Sequence, residues 1–143
     1  MIFRNGQYTK YKGFHLMIQT IRDDDDKIIL IWIGKDCPLK QFYYEKAEDG
    51  FVSIIDKNEL TNAYLVKTFG YYKGYKFQIF SRSGSSEVSI ATSELLAYQR
   101  LSLIKIAENW FGEDVMPNEL ESTWEEYFET LNLPLPDDIQ LSQ

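Results

Sequence analysis

The feature that most narrows what this chain can fold into is a stretch written twice. Residues 11–32, YKGFHLMIQTIRDDDDKIILIW, align without a gap at an offset of 61 with residues 72–93, YKGYKFQIFSRSGSSEVSIATS. Five of the 22 positions are identical: the Tyr-Lys-Gly triplet and two isoleucines, Ile18 with Ile79 and Ile29 with Ile90. Phe14 stands where Tyr75 recurs, and Leu16 where Phe77 recurs. The alternation puts Phe14, Leu16 and Ile18 on one face of a strand, with His15, Met17 and Gln19 on the other. The runs DDDD and SGSS fall within one residue of the same place, and both are turn-forming. Each copy therefore reads as a β-hairpin led by a glycine bend, with Gly13 and Gly74 expected to supply a bulge or a close backbone approach. Two origins fit: duplication into two similar β-units of one sheet, or chance, since aromatic and lysine-rich strands resemble each other easily. The hairpin expectation holds under both.

Further strand signals lie around the copies. QFYYEKA (41–47) and FVSII (51–55) flank Glu48-Asp49-Gly50, in which Asp-Gly is a hairpin turn signal. Asp56 with Glu59 three residues on fits a capping box over one short helical turn. NAYLVKTFGYY reads as another strand, Asn5-Gly6 as a tight turn, and KIILIWI as a central strand covered on both faces. Ten Tyr, nine Phe and three Trp lean the same way. After Thr92 the pattern changes. SELLAYQRLSLIKIAENWFG suits a helix with Ser93 as N-cap and Gly112 past its end, although the inner LSLIKI alternates as a strand does. PNELESTWEEYFETLNL suits a second helix, with Pro117 in its first turn and Leu120, Trp124, Tyr127, Phe128 and Leu131 on one apolar face. The expected fold is α+β: a mostly antiparallel β-sheet built from hairpins, with two C-terminal helices packed on it. The expected organisation is a single domain over 1–143, β-rich over 1–92, helical over 93–133, with a tail over 134–143.

Several function classes drop out on chemistry. The longest apolar run, Ile28 to Ile33, is too short to span a bilayer, and the N-terminus lacks the apolar core of a signal peptide. Cys37 is the only cysteine, which rules out a disulfide framework and a thiolate zinc site. A soluble, cytoplasmic protein is expected. The Asp23–Asp26 run lacks the ligand spacing, glycine and distal glutamate of a calcium loop. His15 is expected to be a solvated strand residue rather than the partner of Cys37 in a nucleophilic pair. No phosphate loop, nucleophile elbow or zinc-binding helix motif occurs. The expectation is a protein that is not an enzyme, with no metal and no cofactor.

Charge placement is more informative than the net charge of −7. From Glu108 onward there are ten acidic residues and no Lys or Arg, while the rest of the chain has 12 acids and 15 bases, a net of +3. That sign disfavours nucleic acid and favours a basic protein as partner. On the expected second helix, Glu121, Glu125 and Glu129 share one stripe and Glu119 and Glu126 another. Such i, i+4 repulsions cost about 0.2–0.5 kcal/mol each and no local cation relieves them. Glu113, Asp114, Glu119, Glu121, Glu125, Glu126 and Glu129, with Trp124 among them, are therefore the expected partner-binding residues.

The acidic stretch GEDVMPNELESTWEEYFET and strands of the YKGYKFQIF type give the chain the character of a known class. It resembles the small immunity proteins of bacterial polymorphic-toxin and contact-dependent inhibition systems. The resemblance implies an inhibitor, monomeric or homodimeric, that occludes a basic toxin nuclease domain with its acidic surface. Two other functions fit the same sequence: a structural module that assembles through sheet edges, and a hydrolase using paired carboxylates.

Overall fold

The structure is a computed structural model and describes residues 3–142. Eleven strands and one α-helix occur among the described residues. They fall into two compact units: Gly6–Leu65 together with residues 127–142, and Val66–Glu126 together with residues 3–5.

The first unit is an antiparallel sheet of β1 (Gly6–Tyr11), β2 (Phe14–Ile21), β3 (Asp24–Ile33), β4 (Tyr43–Glu45) and β5 (Gly50–Asp56). The strands lie side by side in the order β1, β2, β3, β5, β4. One face buries Leu16, Ile18, Ile28, Leu30 and Ile55 under Leu39, Phe42 and Leu60. A fully buried aliphatic side chain of this kind contributes about 1.5–3 kcal/mol, so this face holds the unit together.

The second unit repeats the plan. It contains β6 (Tyr64–Tyr72, in this unit from Val66), β7 (Tyr75–Ser81), β8 (Val88–Thr92), α1 (Leu95–Leu101), β9 (Ile104–Ala107) and β10 (Trp110–Val115). The order is β6, β7, β8, β10, β9, all antiparallel, and β11 (Ser122–Phe128) pairs with β6. Its core is Tyr72, Phe77, Ile79, Val88, Ile90, Phe111 and Val115, with Ala97 of α1 against them.

Register matches as closely as order does. Tyr8↔Met17 and Tyr11↔Phe14 in the first unit correspond to Phe69↔Gln78 and Tyr72↔Tyr75 in the second, at an offset of 61. Ile28↔Ile55 and Trp32↔Phe51 correspond to Val88↔Val115 and Thr92↔Phe111, at an offset of 60. The one-residue change falls at the hairpin tip, so Leu30, not Ile29, is the counterpart of Ile90. Downstream, Asn58-Glu59-Leu60 recurs as Asn118-Glu119-Leu120. Each Glu accepts a hydrogen bond from the backbone N–H three residues earlier, Glu59 from Asp56 at 3.0 Å and Glu119 from Met116 at 2.8 Å. The capping contact expected at Asp56–Glu59 is thus present in both units. Shared order, register and turns favour duplication over chance resemblance.

The Tyr-Lys-Gly triplets are tight turns. Lys12 and Gly13 have φ of 51° and 86°, and Lys73 and Gly74 have 49° and 84°. Two consecutive positive φ values define the type I′ hairpin turn, whose twist matches the flanking strands. No atom lies within 4 Å of a Cβ built at Gly13 or Gly74. The glycines therefore serve the left-handed conformation and not the bulge or close approach expected from the sequence. Asn5-Gly6 is not a turn either: Gly6 begins β1. The Asn5 side chain instead donates to the Ile79 carbonyl at 2.7 Å and accepts from Thr68 N at 3.1 Å.

The two C-terminal helices do not form, and the protein is predominantly β. The first expected helix shrinks to the seven residues of α1, with Glu94 rather than Ser93 at the N-cap position, making no side-chain capping bond, and with Ser102 ending it in the left-handed region. Beyond it, β-branched, alternating Ile104 and Ile106 enter β9. The second is replaced by one 3-10 turn, Pro117–Glu119, followed by β11. Ser122–Phe128 carries Thr, Trp, Tyr and Phe, which prefer strands, and the strand separates the glutamates that repel one another on a helix. The helical part over 93–133 is corrected accordingly. No helix of the described residues is long and apolar enough to cross a membrane.

Candidate protein-binding edge

The structure scatters the acidic residues that a helix would have gathered and gives most of them partners inside their own unit. Glu125 receives two hydrogen bonds from Arg4, at 2.8 and 2.9 Å. Glu126 meets Lys76 at 2.9 Å and accepts from Trp124 Nε1 at 2.8 Å. Burial pushes the Glu126 carboxyl up, and the bonds from Lys76 and Trp124 more than reverse this, leaving it below the ordinary carboxylate value. Asp114 meets Arg82 and accepts from Ser89, at 2.8 and 2.7 Å. Glu121 accepts from the N–H of Gly74 at 2.8 Å, and Glu119 caps Met116. Trp124 packs on Tyr71 and Phe69, with ring centroids 5.1 and 6.3 Å apart. Glu129 is exposed, and Glu113 is half-buried on β10 with no cation within 4 Å among the described residues. Of the ten acids from Glu108 onward, six lie within 4 Å of a basic side chain. The helical stripe that would have gathered these carboxylates does not form, because the segment is a 3-10 turn followed by β11.

His15 departs from expectation as well. Its Nε2 lies 2.7 Å from Asp138 Oδ2 and its Nδ1 2.7 Å from the hydroxyl of the fully buried Tyr64. Lys10 lies 3.5 Å from the same carboxylate. The hydrogen bond from His15 holds the Asp138 carboxyl below its usual value. Lys76 occupies the counterpart position on β7 and binds Glu126, so each unit uses this position to hold a carboxylate of a later segment. Cys37 is half-buried, and its nearest polar partner is the Leu39 carbonyl at 3.7 Å.

Four of the exposed large hydrophobic residues sit on the edge strands β4 and β9: Tyr43, Tyr44, Ile104 and Ile106. In the second unit β9 closes the strand order, and all four of its residues are exposed. Ile104 and Ile106, on one face, are 68% and 56% exposed. Gly112 lies beneath them: a Cβ there would come within 2.9 Å of Ile106 Cδ1, so the glycine lets Ile106 lie flat on β10. The β9–β10 ladder runs only to Gly112↔Ile104, and beyond that step a shallow groove of about 150 Å³ is lined by Ile104, Ile106, Ser89, Glu113 and Asp114. Two of the carboxylates chosen from sequence, Glu113 and Asp114, thus stand beside this edge. In the first unit, β4 holds the equivalent place, with Tyr43 opposite Val52 as Ile104 is opposite Gly112. Tyr43 is 52% exposed. An exposed apolar side chain at the same point of both outer strands is a repeated feature of the fold. Edge strands also present backbone donors and acceptors to whatever approaches. The alternation of LSLIKI was the sequence signal for β9, and the isoleucines were hidden from the site reading by their place on an expected helix.

The fold is an antiparallel β-protein of two similar units, with β4 and β9 as exposed outer strands. The family model described as uncharacterised conserved protein UCP033725 matches residues 3–130, and the chain belongs to that family. No curated protein and no solved structure matches the chain.

Proposed function

We propose that the protein works in the cytoplasm by binding another protein and occluding it, as its resemblance to immunity proteins implies, and that the contact is made at β9. The observation that carries this reading is the pair of exposed isoleucines, Ile104 and Ile106, beside the carboxylates of Glu113 and Asp114. Apolar anchors with a charged rim are the usual anatomy of a protein-binding surface. Glu113, half-buried and without a cation, favours a partner that brings a lysine or arginine to it. The mechanism is steric: no bond in the partner is made or broken. The test is co-expression with the protein encoded immediately upstream. The wild-type chain restores growth to cells producing that protein's C-terminal domain, and the double variant Ile104→Asp, Ile106→Asp does not. Equal protection by the folded double variant removes β9 from the interface, and no protection by the wild type removes the inhibitor reading.

A further inference from the structure

We infer that the second unit carries a binding site for a neutral saccharide, in the hollow beside Trp110. This inference does not rest on the inhibitor reading, and no residue of β9 takes part in it. The floor of the hollow follows from register. Phe69, Gln78, Ala91 and Gly112 are successive cross-strand partners, so they share the face opposite the Phe77, Ile79 and Ile90 core. Ala91 is too small to fill the space above it, and Gly112 adds no side chain. A hollow of about 360 Å³ opens there, rimmed by Lys67, Lys76, Ser93, Glu94 and Trp110. That volume lies at the low end of the range for small-molecule sites, about 300–1,000 Å³.

The shared fold does not require these side chains. At the offsets of 61 and 60 that relate the two units, Lys67, Gln78, Glu94 and Trp110 fall where the first unit has Gly6, Met17, Gly34 and Gly50. Three glycines and a methionine serve the same plan, so the polar set is an addition of the second unit. It is also open to a ligand. Gln78 Nε2 donates to Asn5 Oδ1 at 2.9 Å, and Asn5 is itself held by Ile79 and Thr68. The Gln78 carbonyl oxygen is thereby left as a fixed acceptor. Trp110 is half-buried, yet its indole makes no hydrogen bond or ring contact among the described residues. The Ser93 hydroxyl and the Glu94 carboxylate have no partner there either.

Charge decides the ligand class. Lys76 meets Glu126 at 2.9 Å, with its ammonium 4.3 Å above the Phe69 ring, and Lys67 also attracts Glu126. Two lysines thus stand against Glu94 and Glu126, and the hollow has no net charge with which to draw an ion. It offers instead a flat apolar ring beside separate donors and acceptors. A sugar ring has the matching chemistry: its C–H face packs on an aromatic ring, and each of its hydroxyls both donates and accepts.

Saturation-transfer difference NMR on the full chain tests this with glucose, galactose, mannose and N-acetylglucosamine, each at about 10 mM, enough to fill a site of millimolar Kd. At least one sugar receives saturation, most strongly at the C–H protons of one ring face. Trp110→Ala abolishes the transfer. Glu94→Gln, an exposed change that keeps the test decisive if Trp110→Ala unfolds, weakens binding about tenfold, as loss of a hydrogen bond to a charged group does. No transfer to any of the four sugars overturns the inference, as does transfer undiminished by either substitution in a folded chain. Glucuronate bound more tightly than all four marks an anion site and overturns it too.

Discussion

Glu125 offers the sharpest test of where the negative charge of this protein goes. Its two bonds from Arg4 have the geometry of a forked ion pair, and the side chains are only 27% and 28% exposed. Fully exposed pairs contribute about 0.2–1 kcal/mol, and hydrogen bonds to charged groups about 1.5–3 kcal/mol. A pair three-quarters shielded falls between, at about 1–2 kcal/mol of coupling. A double-mutant cycle measures it: Arg4→Ala, Glu125→Ala and the combination, each followed by urea unfolding. The single variants are expected to lose about 2 kcal/mol each, since each leaves a partly shielded charge alone, and the double variant less than their sum. A coupling under about 0.3 kcal/mol, the additivity limit for independent sites, refutes the reasoning. It would mean that Glu125 is as available to an outside cation as the sequence first implies.

Three other outcomes follow from the geometry. Gly70→Ala places a Cβ 2.6 Å from Ile79 Cδ1 and 2.6 Å from the Ser122 carbonyl oxygen, so it pushes β11 from β6 and costs about 1–3 kcal/mol by thermal or urea unfolding. Lys73→Asn puts a residue suited to positive φ into the second type I′ turn and stabilises by about 0.5 kcal/mol; a loss of stability contradicts the turn assignment. Asp138 has a folded pKa below its unfolded value, so its contribution is present above the unfolded carboxylate pKa of about 3.9. That contribution is lost as pH falls through the folded value. Asp138→Asn therefore flattens the acid limb of the stability curve below about pH 4, read by urea unfolding as a function of pH.

Much of the first unit was legible because its signals are local. The hairpin closing at Asp49, whose turn is the 3-10 stretch Lys46–Glu48 with Gly50 already in β5, the Asp56–Glu59 cap and the alternation of Phe14, Leu16 and Ile18 need no distant partner to be read. The C-terminal third was not legible, for a physical reason. Leu120, Trp124, Tyr127, Phe128 and Leu131 match a helical period, yet a strand accepts the same residues and its partner β6 lies some fifty residues upstream. One clue was present: the uncompensated glutamate repulsions, which were read as a waiting interface and in fact argue against the helix. As a strand, Ser122–Phe128 sends adjacent Glu125 and Glu126 in opposite directions, one to Arg4 and one to Lys76. No local pattern predicts those pairings, because Arg4 and Glu125 are separated by 121 residues. The candidate site was half visible, since Glu113 and Asp114 were chosen for their charge while Ile104 and Ile106 beside them were assigned to a helix.

The duplication carries a hazard that the sequence has met. A freshly doubled module would own two identical unsealed margins, and a chain whose margins recognise each other end to end grows into fibres instead of stopping. Tyr-Tyr-Glu at β4 and Ile-Lys-Ile at β9 are no longer interchangeable. Divergence at those few positions means that the two margins no longer present the same side chains to an approaching strand.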